Sequence, residues 1–281
     1  MSRWHHISKA VCGAFFAIAA AGTAWAQQSP TKIASLDYCS DQYVLALAPR
    51  DRIASLSRDA DTVFSFFGGL AQGLSKNRGS VEEILHLEPD LLVRQWQGST
   101  STDRVLNRAG IKTIALPFAA TTNDAFTNFL EISEAIGRLE QAQAFVAKRK
   151  QMQTELSDAA PLDMKALYVT PSGFTAGTST GVQVIIENAG LQSIAADYGL
   201  SGWGPLPLES IVQQQPDVIV ASLFDLPSAR SNWSLSGHPR IADLMTDIPV
   251  IDLPARYTSC STLFSIDAAY HIRQQAEKLV R

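Results

Sequence analysis

Residues 82–93 read Glu82-Glu-Ile-Leu-His-Leu-Glu-Pro89-Asp90-Leu-Leu-Val93, and residues 209–220 read Glu209-Ser-Ile-Val-Gln-Gln-Gln-Pro216-Asp217-Val-Ile-Val220. In each stretch a Glu is followed by two apolar positions, a Pro-Asp pair stands seven residues after the Glu, and an apolar triplet follows. The copies are 127 residues apart, too far for a solenoid repeat, and the spacing suits two similar lobes. Local physics gives the unit a shape. The Glu opens a short helix, where a carboxylate suits the positive end of the dipole. The proline ends that helix, because the residue before it is pushed towards extended geometry. The apolar triplet is then a buried parallel strand.

Working outward, each copy is followed by a helical segment and a second strand ending in Leu-Pro. These are 104–109 and 111–117 in the first copy, 241–245 and 248–254 in the second. Earlier strands are expected at 32–36 and 52–56, with a helix over 41–48 between them. The second half opens with a strand at 165–169 and a helix over 182–189, and closes with a helix over 262–280. Strand and helix alternate, so the class is α/β with two similar parallel-sheet lobes. Between the lobes, 123–157 holds no Pro and one Gly, Gly137, with apolar residues close to helical spacing. Gly137 divides it, leaving one long bridging helix of roughly 30 Å at 1.5 Å per residue. The expected organisation is an N-terminal lobe over 31–137, a bridging helix over 138–160 and a C-terminal lobe over 161–281, with a ligand cleft between the lobes.

Residues 1–26 carry the marks of a secretory signal peptide. Arg3, His5, His6 and Lys9 form a basic start, an apolar run covers 11–22, and Ala24-Trp25-Ala26 is an A-x-A cleavage site. Cys12 lies at the start of the apolar run and is no lipoprotein acceptor. Cleavage near Ala26 would leave a formal charge of −6, which gives no footprint for nucleic acid. The expected product is a soluble periplasmic chain with two cysteines, Cys39 and Cys260, in a compartment that permits disulfides.

The duplicated Glu/Pro-Asp unit, the signal peptide, the bridging helix and the opening strand-to-helix run 33–47 together resemble the periplasmic substrate-binding proteins of ABC importers. The class concerned is the one for vitamin B12, ferric siderophores and haem, and the resemblance covers residues 31–281. It implies a monomer that holds a bulky metal-chelate ligand between its lobes and docks on ABC permease subunits in the inner membrane. It implies no resident cofactor, although the ligand carries iron or cobalt.

In open parallel sheets, ligands bind beyond the carboxyl ends of the strands. That rule selects Tyr38, Arg58, Arg94 and Trp96 in the first lobe, and Phe224, Arg256 and Tyr257 in the second; Trp203, in a turn expected over 199–205, is a further candidate. Phe64, Phe66 and Phe67, in the loop after the second strand, are expected to be a lid or a plug. Arginines among aromatic rings suit a bulky, flat, anionic ligand. The competing assignment for each is core packing or a local salt bridge.

No metal site is expected, because His86, His238 and His271 stand outside ligand spacing of one another. Haem ligation by Tyr38, Tyr43 or Tyr257 stays open. The glycine-rich segment 173–181 has neither the P-loop Lys nor dinucleotide-binding spacing and is expected to be a turn leading into a helix. No nucleophile elbow is present, so the chain is not expected to be an enzyme. An exported hydrolase or a ligand sensor on the same two-lobe scaffold is the alternative.

Glu82 and Glu209 stand at equivalent helix starts, expected on opposite sides of the cleft mouth. The resemblance implies that such a pair meets arginines on the two permease subunits; helix-dipole stabilisation is the plainer role, with Ser80 and Glu83 offering a capping box beside it. Cys39 and Cys260 each follow a strand and are expected to face the cleft. They can be a disulfide tying the lobes, two thiols near a ligand, or unrelated buried thiols. A disulfide needs Cα atoms within roughly 4.4–6.8 Å.

Overall fold

The computed structural model describes residues 29–95, 100–225, 246–260 and 262–280. The signal-peptide stretch, Trp96, His238 and the helical segment 241–245 lie outside the described residues.

The first lobe runs β1 (Ile33–Ser35), α1 (Tyr38–Leu47), β2 (Ile53–Ser57), α2 (Gly68–Ala71), β3 (Lys76–Asn77), α3 (Val81–Leu87), β4 (Leu91–Arg94), α4 (Thr100–Arg108) and β5 (Lys112–Ala115). Its strands pair in parallel in the order β3-β2-β1-β4-β5. Two helices follow, α5 (Thr122–Ile136) and α6 (Leu139–Asp158). The second lobe holds β6 (Lys165–Val169), β7 (Phe174–Ala176), α7 (Gly181–Asn188), β8 (Gln192–Ser193), β9 (Trp203–Pro205), α8 (Leu208–Gln213), β10 (Val218–Ser222), β11 (Val250–Leu253) and α9 (Ser265–Leu279). Its main sheet is also parallel, ordered β11-β10-β6-β8.

The repeated Pro-Asp has the same job in both lobes. Asp90 accepts hydrogen bonds from the Thr31 and Lys32 amides at 2.7 and 3.0 Å and from the Thr31 hydroxyl at 2.9 Å. Asp217 accepts from the Lys165 amide at 2.7 Å. Each carboxylate thus pins the first turn of a neighbouring parallel strand, β1 or β6, to the strand it opens. Burial pushes the Asp90 carboxyl up, but these donors outweigh it and hold the group below its ordinary value. Ahead of Pro89, Glu88 is left-handed, with φ of 46°, rather than extended. It closes α3 through its own amide on the Ile84 carbonyl and turns the chain into β4.

Gly137 ends α5 at φ of 76°, where its amide reaches the Ser133 and Glu134 region and an L side chain would be strained. Beyond it, α6 gives Ala142 and Val146 to the core of the first lobe and Leu156 to that of the second. The sheets are covered on both faces, as parallel sheets require. In the first lobe α1, α5 and α6 lie over one face and α3 and α4 over the other. In the second, α7 and α9 cover one face and α8 the other.

Two features depart from expectation. The glycine-rich segment contains a strand: β7 pairs antiparallel with β9, and beyond it an isolated parallel bridge joins Thr178 and Ser201. Gly177 is required there, because a Cβ would stand 2.6 Å from the Leu200 carbonyl carbon. In addition, Cys260, Leu263 and Phe264, placed in the second lobe by sequence, pack into the core of the first. Phe264 stacks on Phe66 with centroids 4.0 Å apart.

Candidate functional site

The carboxyl ends of the two sheets meet. Phe66, in the loop after β2, stands edge-on to Tyr257, in the turn after β11, with ring centroids 5.6 Å apart. Tyr257 in turn stacks on His271 of α9 at 5.1 Å, and the Arg256 guanidinium lies 5.0 Å from the Tyr257 centroid. On the facing lobe, Tyr38 opens α1 half-buried, with Phe64 at 5.5 Å. Burial first, then the charges of Asp37 and Asp59, hold the Tyr38 phenol above its ordinary value, so it stays protonated. Arg58 is exposed just past β2, with Asp59 at 3.5 Å.

Trp203 is a strand residue of β9 rather than part of a turn, and is 58% exposed with Tyr168 edge-on at 5.8 Å. Thr170 anchors the ribbon beyond β6 by exchanging bonds with Phe174. Phe174 pairs with Pro205 and Ala176 with Trp203. Paired and alternate residues share a face, so Phe174, 46% exposed, lies on the same face as Trp203.

Several expectations need correction. Arg94 is only 6% exposed, and its Nη2 donates to Asp103 Oδ1 of α4 at 2.7 Å. It braces β4 against α4 inside the lobe instead of lining the cleft. Phe66 and Phe67 form no lid. They pack on Phe264, and Phe67 also meets Phe145 of α6, at the junction of the lobes. Phe224 packs against the second-lobe core on the α8 face. Ser80 accepts the Glu83 amide, but the Glu83 carboxylate takes the Arg78 amide, so the capping box is only half closed.

Cys39 and Cys260 are joined as a disulfide with Cα atoms 5.1 Å apart. They are 2% and 4% exposed, so the bond is buried instead of facing the cleft. Glu82 and Glu209 are each the second residue of their helix, and both are exposed.

The strand-end rule should also have named Phe118. It follows the Leu116-Pro117 end of β5 directly and is 79% exposed. Sequence gave no signal for the buried carboxylate of Asp41. Its Oδ1 accepts the Ser57 amide at 2.9 Å and the Ser35 hydroxyl, and its Oδ2 the Ser57 hydroxyl at 2.6 Å. Burial pushes this carboxyl up to about 6, with the serine donors pulling against it. Among the described residues, no group of three or more His, Cys, Asp or Glu side chains could hold a metal ion, and no helix is long and apolar enough to cross a membrane. A pocket of about 350 Å³ lined by Thr31, Asp90, Leu91 and Lys112 sits at the amino ends of β4 and β5, the wrong end of the sheet for a ligand in this architecture.

Comparison with known proteins matches this fold. The family model described as periplasmic binding protein matches residues 33–232. Two curated relatives, each a "Cobalamin-binding protein" from a strain of Halobacterium salinarum, are 26% identical over 200 residues, covering 69% of this chain and 54% of theirs. The chain therefore spans about half the length of the curated relatives it matches. Among solved structures, the periplasmic heme binding protein HutB of Vibrio cholerae superposes with a TM-score of 0.70 at 20% identity, covering 88% of this chain and 98% of that one. The periplasmic heme-binding protein RhuT from Roseiflexus sp. RS-1, in apo form, gives 0.66 at 19% identity, covering 90% and 100%. At those identities the likeness is one of fold.

Proposed function

This chain belongs to the periplasmic binding protein family, and from that premise we propose that it captures a bulky metal-chelate ligand between its lobes and delivers it to an ABC permease. The ligand class is haem or cobalamin, as the names of its relatives suggest, or a ferric siderophore of similar bulk. The observation that carries this is the Phe66–Tyr257 contact across the lobes, which sets the carboxyl ends of both sheets against each other. Around that contact the walls are aromatic and cationic. Tyr38 and Arg58 belong to the first lobe, and Trp203, Arg256 and Tyr257 to the second. Phe64, Phe118 and Phe174 add apolar surface suited to a macrocycle. The metal travels with the ligand as cargo.

The protein acts as a periplasmic monomer after cleavage near Ala26. Glu82 and Glu209 meet cationic side chains of the permease. No arrangement among the described residues favours the hydrolase or sensor alternatives.

The test is titration of the mature protein with hemin, cyanocobalamin and a panel of ferric siderophores, followed by absorbance and tryptophan quenching. Saturable one-to-one binding of one of them is expected. Failure of all three classes would overturn the proposal.

A further inference from the structure

We propose that the Cys39–Cys260 disulfide is the positioning element of the cleft, fixing the gap between its walls so that ligands are selected by thickness. This rests on the cleft function proposed above. The chain passes to the second lobe through α6 and returns after β11, where Cys260, Leu263 and Phe264 pack in the first-lobe core; the disulfide fastens that return segment to α1 across 221 positions. The tie lies in the core directly behind two candidate wall residues. Cys39 directly follows Tyr38, and Cys260 comes three residues after Tyr257. A Cα separation of 5.1 Å, plus the ~3.8 Å between consecutive Cα atoms, keeps the Tyr38 backbone within about 9 Å of Cys260.

Both ends of the tie are stiff, so its length is transmitted to the walls. On the first lobe, Asp37 caps α1, accepting the Cys39 and Ser40 amides at 3.1 and 2.8 Å through Oδ1. Its Oδ2 accepts the Gln95 amide beyond β4 at 2.8 Å. The start of α1 is therefore fixed to the sheet. On the second lobe, the Ala255 carbonyl accepts the Thr258 and Ser259 amides at 3.1 and 3.0 Å and the Ser259 hydroxyl. The Ala255 amide donates to Asp225 at 3.1 Å. The turn carrying Arg256 and Tyr257 is thus closed on itself and anchored beyond β10. Below the bond, Thr262 donates to the Thr121 carbonyl at 2.7 Å, and the Thr122 and Ser265 hydroxyls stand 2.8 Å apart. These ties fall outside the 255–259 turn, so they join the lobes without themselves fixing that turn.

The bond is buried, so its role is positional, and the test must separate positioning from stability. Affinities for hemin, a thin plate, and cyanocobalamin, thick on both faces, are measured for oxidised protein and for the Cys39→Ser/Cys260→Ser variant. Circular dichroism and thermal unfolding monitor the fold. The variant is expected to melt lower, and the ratio of the two affinities to move by at least about tenfold. Wild-type protein reduced with a phosphine should follow the variant, and reoxidation with diamide should restore the original ratio. A ratio unchanged within twofold in a folded variant would reduce the bond to a structural staple and overturn the proposal. Should the serine variant fail to fold, Cys39→Ala/Cys260→Val, better suited to buried positions, carries the same comparison.

A ligand-free arm keeps the two proposals separable. Amide exchange across 255–259 is expected to be at least about tenfold faster without the bond, and equal rates would overturn positioning even where binding is intact. If oxidised protein binds none of the probes while exchange still responds to the bond, the ligand class falls and the positioning element stands.

Discussion

Arg149 of α6 and Asp267 of α9 form a two-point ion pair, with Nε 2.9 Å from Oδ2 and Nη2 3.0 Å from Oδ1. Both side chains are largely buried, and the guanidinium also lies 3.4 Å over the Phe145 ring. The pair fastens the long helix to the closing helix beside the junction of the lobes. Burial pushes the Asp267 carboxyl up in spite of Arg149, so the ion depends on its partner. Arg149→Met is expected to cost about 3–5 kcal/mol, because it leaves a buried charge uncompensated. Arg149→Met/Asp267→Leu should recover most of that. Urea denaturation of the disulfide-intact proteins measures both. Equal losses would assign the cost to packing on Phe145 instead.

Asp41 gives stability a pH dependence of unusual sign for an aspartate. Its folded carboxyl, pushed up to about 6 chiefly by burial, binds a proton more tightly than the unfolded one. Between roughly pH 4 and 6 the native state therefore holds the extra proton, so stability falls as pH rises through that window and levels off above it. The whole change is about 3 kcal/mol. Asp41→Asn should flatten the profile across the window, and the difference between the two proteins in urea denaturation against pH isolates this group. Parallel profiles would show that Asp41 keeps an ordinary carboxyl.

Much of the scaffold could be read from the residues because it depends on local chemistry. The Pro-Asp repeat sets a helix stop, a strand start and a backbone acceptor within a few positions, and Asp90 and Asp217 do the same work in both lobes. The helix α6 follows from apolar spacing and a single glycine. The ribbon β7–β9 was missed because its strands have three residues each, too few to show a period. At the candidate site, the strand-end rule gives a position along the chain but not a direction. Arg94 ends β4 as expected, yet its side chain turns to α4 and Asp103. The Phe66–Phe264 stack joins segments far apart in sequence, and no local pattern marks it.

Gly177 tests how the ribbon presents Trp203. A methyl group there would run into the Leu200 carbonyl, so Gly177→Ala must push the strands apart. The expected cost is about 1–3 kcal/mol, typical of overpacking. Trp203 is one of the few tryptophans, and its edge-on contact with Tyr168 would loosen. A shifted fluorescence maximum with lowered ligand affinity is expected; normal emission and affinity would remove the ribbon from the cleft wall.

The long helix limits how far the lobes can move. With Ala142 and Val146 in one core and Leu156 in the other, α6 can tilt but cannot unfold cheaply. Solution scattering of the free and ligand-saturated protein should give the same radius of gyration within measurement. A large contraction on binding would mean that α6 breaks or swings between states.

Substituting Glu82 and Glu209 tests delivery apart from capture. Each is the second residue of a short helix, exposed, on the helix that covers the corresponding face of its sheet: α3 in the first lobe, α8 in the second. Val212, one turn beyond Glu209, is also exposed. As partners of a helix dipole alone, such carboxylates are worth a few tenths of a kcal/mol to about 1 kcal/mol, so reversing one leaves the fold intact. As contacts with a permease they carry far more, because a reversed charge there faces a like charge. Glu82→Lys and Glu209→Lys are each expected to abolish ligand uptake by cells while the purified variants keep wild-type affinity and melting temperature to within a few degrees. Reversing both should add nothing further to the loss of uptake. Uptake that survives both substitutions would reduce the two carboxylates to dipole partners, and a loss of affinity in either variant would move that residue from the docking face into the cleft.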